Sequence, residues 1–225
     1  MRLSTAALLL LTLTAFAANS LLCRLALGNN AIDAASFSTI RLASGALFLL
    51  VVSRLTDRAQ EKSRGSWQSA SFLFLYAVCF SFAYVRISAG SGALILFGAV
   101  QGTMFLHGLR AGERPPPAQW FGLVIAAAGL VCLVLPGVTT PAPLAAGLML
   151  IAGIAWGFYS IRGKGIGDPL GSTAANFLRS VPFAVAVSML TLPHLHASTK
   201  GALLATMSGS LASGAGYVLW YRLVP

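Results

Sequence analysis

Two arginines stand inside apolar runs of this chain. Arg41 lies in FSTIRLASGALFLLVV (37–52) and Arg179 in ANFLRSVPFAVAVSML (175–190), 138 positions further on. Each is about eight residues into its run, roughly 12 Å deep at ~1.5 Å of rise per residue. A guanidinium stays charged at physiological pH and presents a planar fork of N–H donors that fits a carboxylate. In hydrocarbon it costs about 2.5–3.5 kcal/mol on insertion scales, so it must face a bundle interior or a wet cavity. Two uses follow. The arginines bond carbonyls and polar neighbours and so fix helix packing, or they line a cavity and attract an anionic group on a solute. Asn19, Trp156 and Tyr159, toward the middle of their own apolar runs, are the strongest further substrate-binding candidates. Gln101, Asn176, Tyr217 and Trp220 are weaker ones, since such residues also serve as interhelical glue and interface anchors.

The elements that must position these groups are helices in a bilayer. The 225 residues are 57% hydrophobic and 9% charged, with a mean hydropathy of +0.81. An ordinary soluble domain is about a quarter charged. About 20 helical residues cross the hydrocarbon core, and eight runs qualify: 4–27, 34–53, 68–87, 91–109, 118–136, 143–162, 172–191 and 202–222. The third and fourth are separated by a Gly/Ser-rich turn at ISAGSG. None alternates in the roughly ten-residue pattern of a membrane barrel strand. The expected class is all-α, a polytopic transmembrane helix bundle.

The formal charge of +10 is orientation signal. With a cytoplasmic N-terminus the inner side receives Arg2, Arg54, Arg58, Lys62, Arg64, Arg110, Arg114, Arg162, Lys164 and Arg222, and the outer side Arg24, Arg86 and Lys200. That bias fits the inner, plasma membrane of a bacterium and excludes a nucleic-acid partner. The beginning MRLSTAALLLLTLTAFA resembles a cleavable signal peptide, but its apolar run continues to Leu27 and further spans follow, so it is expected to stay as the first helix. Cys23, Cys79 and Cys132 lie within spans at spacings that suit neither a disulfide framework nor a metal, and they are expected to pack.

A shift of 138 residues superposes Arg24 on Arg162 as well as Arg41 on Arg179, and brings helices 1–3 onto helices 6–8. Five helices make the repeat, and because five is odd the second copy enters the membrane from the opposite side, the inverted arrangement of many secondary transporters. VLPGVTTPAP (134–143) reads as the junction. The halves are 1–137, helices 1–5, and 138–225, helices 6–8.

Several segments carry a resemblance: SAGSGALILFGAVQGTM, GLRAGERPPPAQWFGLVIAAAGLVCLVLPG with its Gly112-Glu113 pair, GIAWGFYSIRGKG and GYVLWYRLVP. In these the chain resembles the EamA family of the drug/metabolite transporter superfamily, along essentially its whole length. The resemblance implies two inverted five-helix repeats, ten spans in all, and transport of amino acids, related metabolites or drugs. Eight of the ten helices are present, since the sequence stops at Pro225. A fragment without activity, or a non-transporting membrane subunit, is the alternative, and a homodimer would cover the surface that the two missing helices leave bare. Arg86, at the outer end of helix 3, is a second departure and can snorkel to the interface.

No phosphate-binding G-x4-G-K-[ST] loop occurs, and GKGIG (163–167) follows a membrane helix, so it reads as a flexible loop. The five acids, Asp33, Asp57, Glu61, Glu113 and Asp168, lie at or beyond helix ends. That leaves no intramembrane carboxylate for a proton relay, and His107 is an incidental titratable group. Zinc-helix and nucleophile-elbow motifs are absent, and His194 and His196 lack a third ligand nearby. The reading is a permease without cofactor or metal and without enzymatic activity, whose partners are a small-molecule solute and the lipid bilayer.

Overall fold

A computed structural model describes residues 5–56, 65–134 and 142–223. Arg2, Asp57, Arg58, Glu61, Lys62, Arg64, most of the 134–143 junction with the 137/138 boundary, and the Arg222 side chain lie outside the described residues. The elements are α1 (Thr5–Gly28), α2 (Ala34–Leu55), α3 (Trp67–Tyr84), α4 (Ala89–Arg110), α5 (Pro117–Val134), α6 (Pro143–Arg162) and α7 (Pro169–Leu190). A short 3-10 turn (Leu192–His194) follows. Then come α8 (Thr199–Met207), a π-helical stretch (Ser208–Ala215) and α9 (Gly216–Leu223) without a break. The chain is a polytopic all-α bundle.

Among the described residues, six helices are long and apolar enough to cross a membrane: α1, α2, α4, α6, α7 and the composite Thr199–Trp220. α3 begins one residue before its expected 68–87, capped by Ser66, whose Oγ accepts from the Ser69 N–H, and ends three residues early, at Tyr84, where the chain turns into α4. It is nonetheless central: Leu73, Ala77, Phe80, Ala83 and Tyr84 are all fully buried. α5, Pro117–Val134, is apolar along most of its length. α5 rests on α4, where Trp120 meets Phe105 edge-on at 4.8 Å.

The turn between α3 and α4 is not where the Gly/Ser run suggests. Ser88 is the N-cap of α4, accepting from the Ser91 N–H at 3.2 Å, so Ala89-Gly90-Ser91-Gly92 form the first helical turn and the connection is Val85–Ser88. An N-cap serine satisfies an otherwise orphaned donor. Gly92 is needed there because a Cβ would meet the Tyr84 ring at 2.6 Å.

Within the bundle α2 packs along α7, α3 along α6, and α1 along α8, the π stretch and α9, with α4 on the far side of α6. The α4–α6 contact uses small residues, as helices in lipid require for close approach. A Cβ on Gly153 would meet Ala99 and the Leu96 carbonyl, and one on Gly157 would meet Thr103. GIAWG therefore packs as its spacing suggests. GAVQG does not, since Gly102 faces open space and α4 presents Ala99 and Thr103 instead.

At the end of the bundle where α1 finishes, the α1–α2 and α7–α8 connections are tied together. Ile32 and Ala197 form an antiparallel bridge. The Asp33 N–H donates to the His196 carbonyl at 2.9 Å, and the Ser198 N–H to the Ala31 carbonyl at 2.8 Å. Asp33 also caps α2, accepting from the Ser36 N–H at 2.8 Å and the His196 N–H at 2.9 Å. Burial alone would push its carboxyl up, but these donations outweigh it and hold the group below its ordinary value. A depressed folded-state pKa stabilises above the unfolded pKa, about 3.9, and the contribution is lost as pH falls through the folded value. Asp33→Ala is expected to destabilise the purified chain by about 1 kcal/mol near neutral pH. The gap to the intact chain should close below about pH 4, read from melting curves across pH.

The candidate binding site

Arg41 is the eighth residue of α2 and is 2% exposed. Its backbone is pressed against the last helix: a Cβ on Gly209 would run into the Arg41 carbonyl and Ser44 Oγ, and one on Gly45 would meet Phe177 at 2.7 Å and the Gly209 carbonyl at 3.0 Å. With that side closed, the guanidinium extends toward α3. Nη2 donates to the Tyr76 hydroxyl at 2.8 Å. The guanidinium carbon lies 5.0 Å from the Tyr76 ring centre and 4.8 Å from that of Phe80, within the range of cation–π attraction.

The Tyr76 hydroxyl ties this arginine to two more elements. Asn19 of α1 donates to it weakly through Nδ2 at 3.4 Å, while Asn19 Oδ1 accepts from Ser208 Oγ of the π stretch at 2.6 Å. Arg41, Tyr76, Asn19 and Ser208 thus join α2, α3, α1 and the π stretch in one buried network. Trp156 of α6 stacks on Tyr76 with ring centres 5.4 Å apart and planes at 24°. It also meets Phe16 edge-on at 5.4 Å and Phe97 at 5.7 Å. The result is a polar strip with aromatic walls at the centre of the bundle.

The network does not satisfy its cation. Arg41 Nε and Nη1 are buried and have no hydrogen-bond partner among the described residues. Asp33 and Asp168 are N-caps and Glu113 follows α4, so none of these three acids lies within a helix. Leaving such donors unpaired costs about 1–3 kcal/mol each, more for a charged group. The cluster holds a fixed positive charge, two open donors and several aromatic faces, a combination suited to an anionic group on a larger apolar body.

The other sequence candidates fall elsewhere. Arg179 does not join Arg41: its guanidinium lies over Trp67 at 5.7 Å, and a Cβ on Gly65 would meet its Nη1 at 2.8 Å. Trp67 and Tyr76 are nine residues apart on α3, about 13 Å at ~1.5 Å per residue, so the shared midplane depth expected for the two arginines is not found. Arg179 is the eleventh residue of α7, because that helix starts three residues before the expected 172. Tyr159 belongs to a second polar group. Its hydroxyl donates to Thr173 Oγ1 at 3.3 Å, and it lines a small polar cavity with Ser69, Arg162, Thr173 and Asn176. Edge-on contacts through Tyr217, at 6.2 Å to Tyr159 and 6.4 Å to Phe16, link the two groups. Asn176 is buried and accepts from the Ser66 N–H at 2.8 Å, whereas Gln101 and Trp220 are exposed. Arg24 donates to the Tyr84 and Val85 carbonyls at 2.8 and 2.9 Å and so caps α3, while Arg162 donates to Ser69 Oγ at 3.2 Å near its other end. Arg86 is exposed. Sequence reasoning missed Tyr76, Phe80, Phe16 and Ser208. Tyr76 carried a signal of its own, a phenol in mid-span as the tenth residue of α3, whereas Tyr159 stands in the last turn of α6.

A polytopic helix bundle with six described helices long and apolar enough to cross a membrane is the architecture of a multi-pass membrane protein. Residues 3–135 match the EamA-like transporter family, and the chain belongs to it, which makes it a membrane transporter of the drug/metabolite type. It is 48% identical over 221 residues to a Pseudomonas aeruginosa protein described as uncharacterized protein PA1977, an alignment covering 98% of this chain and 77% of that one.

Proposed function

We propose that this chain moves small organic solutes, amino acids or related metabolites, across the inner membrane by alternating access, with its N-terminus in the cytoplasm. The observation that carries the proposal is the buried Arg41 with two open donors, held where α1, α2, α3 and the π stretch converge. The halves 1–137 and 138–225 are the moving bodies. In support, a 138-residue shift carries the packed pair α3–α6 onto the last helix paired with α1, with α2–α7 between them. Such an arrangement suits rocking about a shared central site. Arg54, Arg110 and Arg162, in the last turns of α2, α4 and α6, support the orientation under the positive-inside bias. Arg41 and the Asn19, Trp156 and Tyr76 groups around it bind the solute, with Tyr159 and Arg179 flanking the route toward the cytoplasmic end. Facilitated or exchange transport fits the acids found outside the helices better than a proton relay does.

The test compares extracellular metabolites by mass spectrometry from cells expressing the chain or an empty vector, with membrane levels measured. A solute whose export or depletion depends on the chain is expected. Unchanged flux of every solute in both directions would remove the reading.

A further inference from the structure

We infer that the Arg41 cluster is a binding site for a monoanionic organic carboxylate with an apolar or aromatic body. The assignment deepens the transport reading, and rests on it for the role of the ligand as cargo.

The stoichiometry of the guanidinium carries the argument. Arginine has five N–H donors arranged as two bidentate edges, Nε with Nη2 and Nη1 with Nη2. The Tyr76 hydroxyl takes one Nη2 hydrogen, while Nε and Nη1 remain open. Whichever Nη2 hydrogen Tyr76 occupies, the other completes a parallel pair with Nε or with Nη1. One full edge is therefore free, and one edge holds one carboxylate. A purely structural arginine would be expected to spend its donors on carbonyls, as Arg24 does on Tyr84 and Val85.

The surroundings narrow the ligand. The rings of Tyr76 and Phe80 lie beside the guanidinium and Trp156 is stacked beyond, so an apolar body finds aromatic contact next to its bound carboxylate. A second carboxylate has no comparable partner here, since Arg179 lies against Trp67 well along α3. An ammonium group lacks an acidic partner too: Asp33, Glu113 and Asp168, the acids among the described residues, all stand outside the helices. A single negative charge is thus favoured over a dianion or a zwitterion, so that among the solutes of the transport reading the site selects carboxylate metabolites without an amino group over the amino acids themselves.

The test uses the whole purified chain in lipid nanodiscs, with acetate, benzoate and indole-3-acetate against their primary amides, the closest neutral analogues. Binding is read by calorimetry and melting temperature, for the intact chain, Arg41→Lys and Arg41→Met. At least one carboxylate is expected to bind roughly tenfold to a hundredfold tighter than its amide, the preference shrinking in Arg41→Lys and vanishing in Arg41→Met. Ligand-free Arg41→Met should melt no lower than the intact chain, because it loses a buried charge that lacks full pairing. Equal binding of acid and amide, no binding by any of the acids, or a preference that survives Arg41→Met would overturn the proposal. Reconstituted flux separates the two readings. Flux without acid preference removes this site and leaves transport standing, whereas acid-selective binding without flux keeps the site and removes the cargo role.

Discussion

Replacing Gly209 with valine is expected to abolish accumulation of the folded chain, and even alanine should lower its melting temperature clearly. A Cβ at 209 would run into the Arg41 carbonyl and Ser44 Oγ, with the Arg41 carbonyl carbon at 2.9 Å. A backbone atom in the middle of a helix cannot rotate aside as a side chain can, so α2 and the last helix would have to separate. Overpacking of this kind costs about 1–3 kcal/mol or more, and helices in lipid have little hydrophobic drive with which to absorb it. Separation would also move Ser208 from Asn19 and Gly45 from the Gly209 carbonyl, so the loss extends to the site. Gly102→Ala is the control: nothing lies within 4 Å of its Cβ position, and exchanging glycine for alanine in a helix is neutral or favourable by up to about 1 kcal/mol. Size-exclusion profiles and melting curves of the two variants in detergent check the contrast. A monodisperse Gly209→Val chain that melts like the intact one would show that α2 and the last helix do not meet here.

The sequence makes the burial of Arg41 legible because physics leaves few places for a charge inside an apolar run. The same logic fails to place Arg179. Depth counted along one helix says nothing about which neighbour begins beside it, and α3 begins beside Arg179, bringing Trp67 rather than Tyr76. The number and class of helices follow from length and hydropathy, but the α3–α4 turn does not, because ISAGSG offers two serines able to cap and only packing selects Ser88. The π stretch is the least legible element. In SGSLASGA nothing local favours a wide turn, and the stretch is set by the close approach of Gly209 to α2 together with the Ser208–Asn19 bond. Wide turns of this type recur at functional sites, and here one delivers a buried hydroxyl to the network around Arg41.

Trp156→Ala is expected to reduce solute flux by about tenfold or more, while Trp156→Phe keeps most of it. The indole holds three aromatic partners from three helices, Phe16 of α1, Tyr76 of α3 and Phe97 of α4, and aromatic pairs are worth about 0.5–1.5 kcal/mol each beyond their buried area. Phenylalanine retains a face for Tyr76, whose hydroxyl accepts from Arg41; alanine leaves the Tyr76 ring without support on that side and its hydroxyl free to drift from Nη2. If the aromatic wall only filled space, both variants would change the melting temperature in proportion to lost volume, and flux corrected for folded protein would not change. If it positions Tyr76 and contacts the solute, corrected flux falls in Trp156→Ala and the apparent affinity for carboxylates falls with it, since a mispositioned Tyr76 no longer fixes which guanidinium edge is open. Initial rates in proteoliposomes, normalised to folded chain, separate these outcomes. An unchanged rate in Trp156→Ala would place the solute route away from this wall.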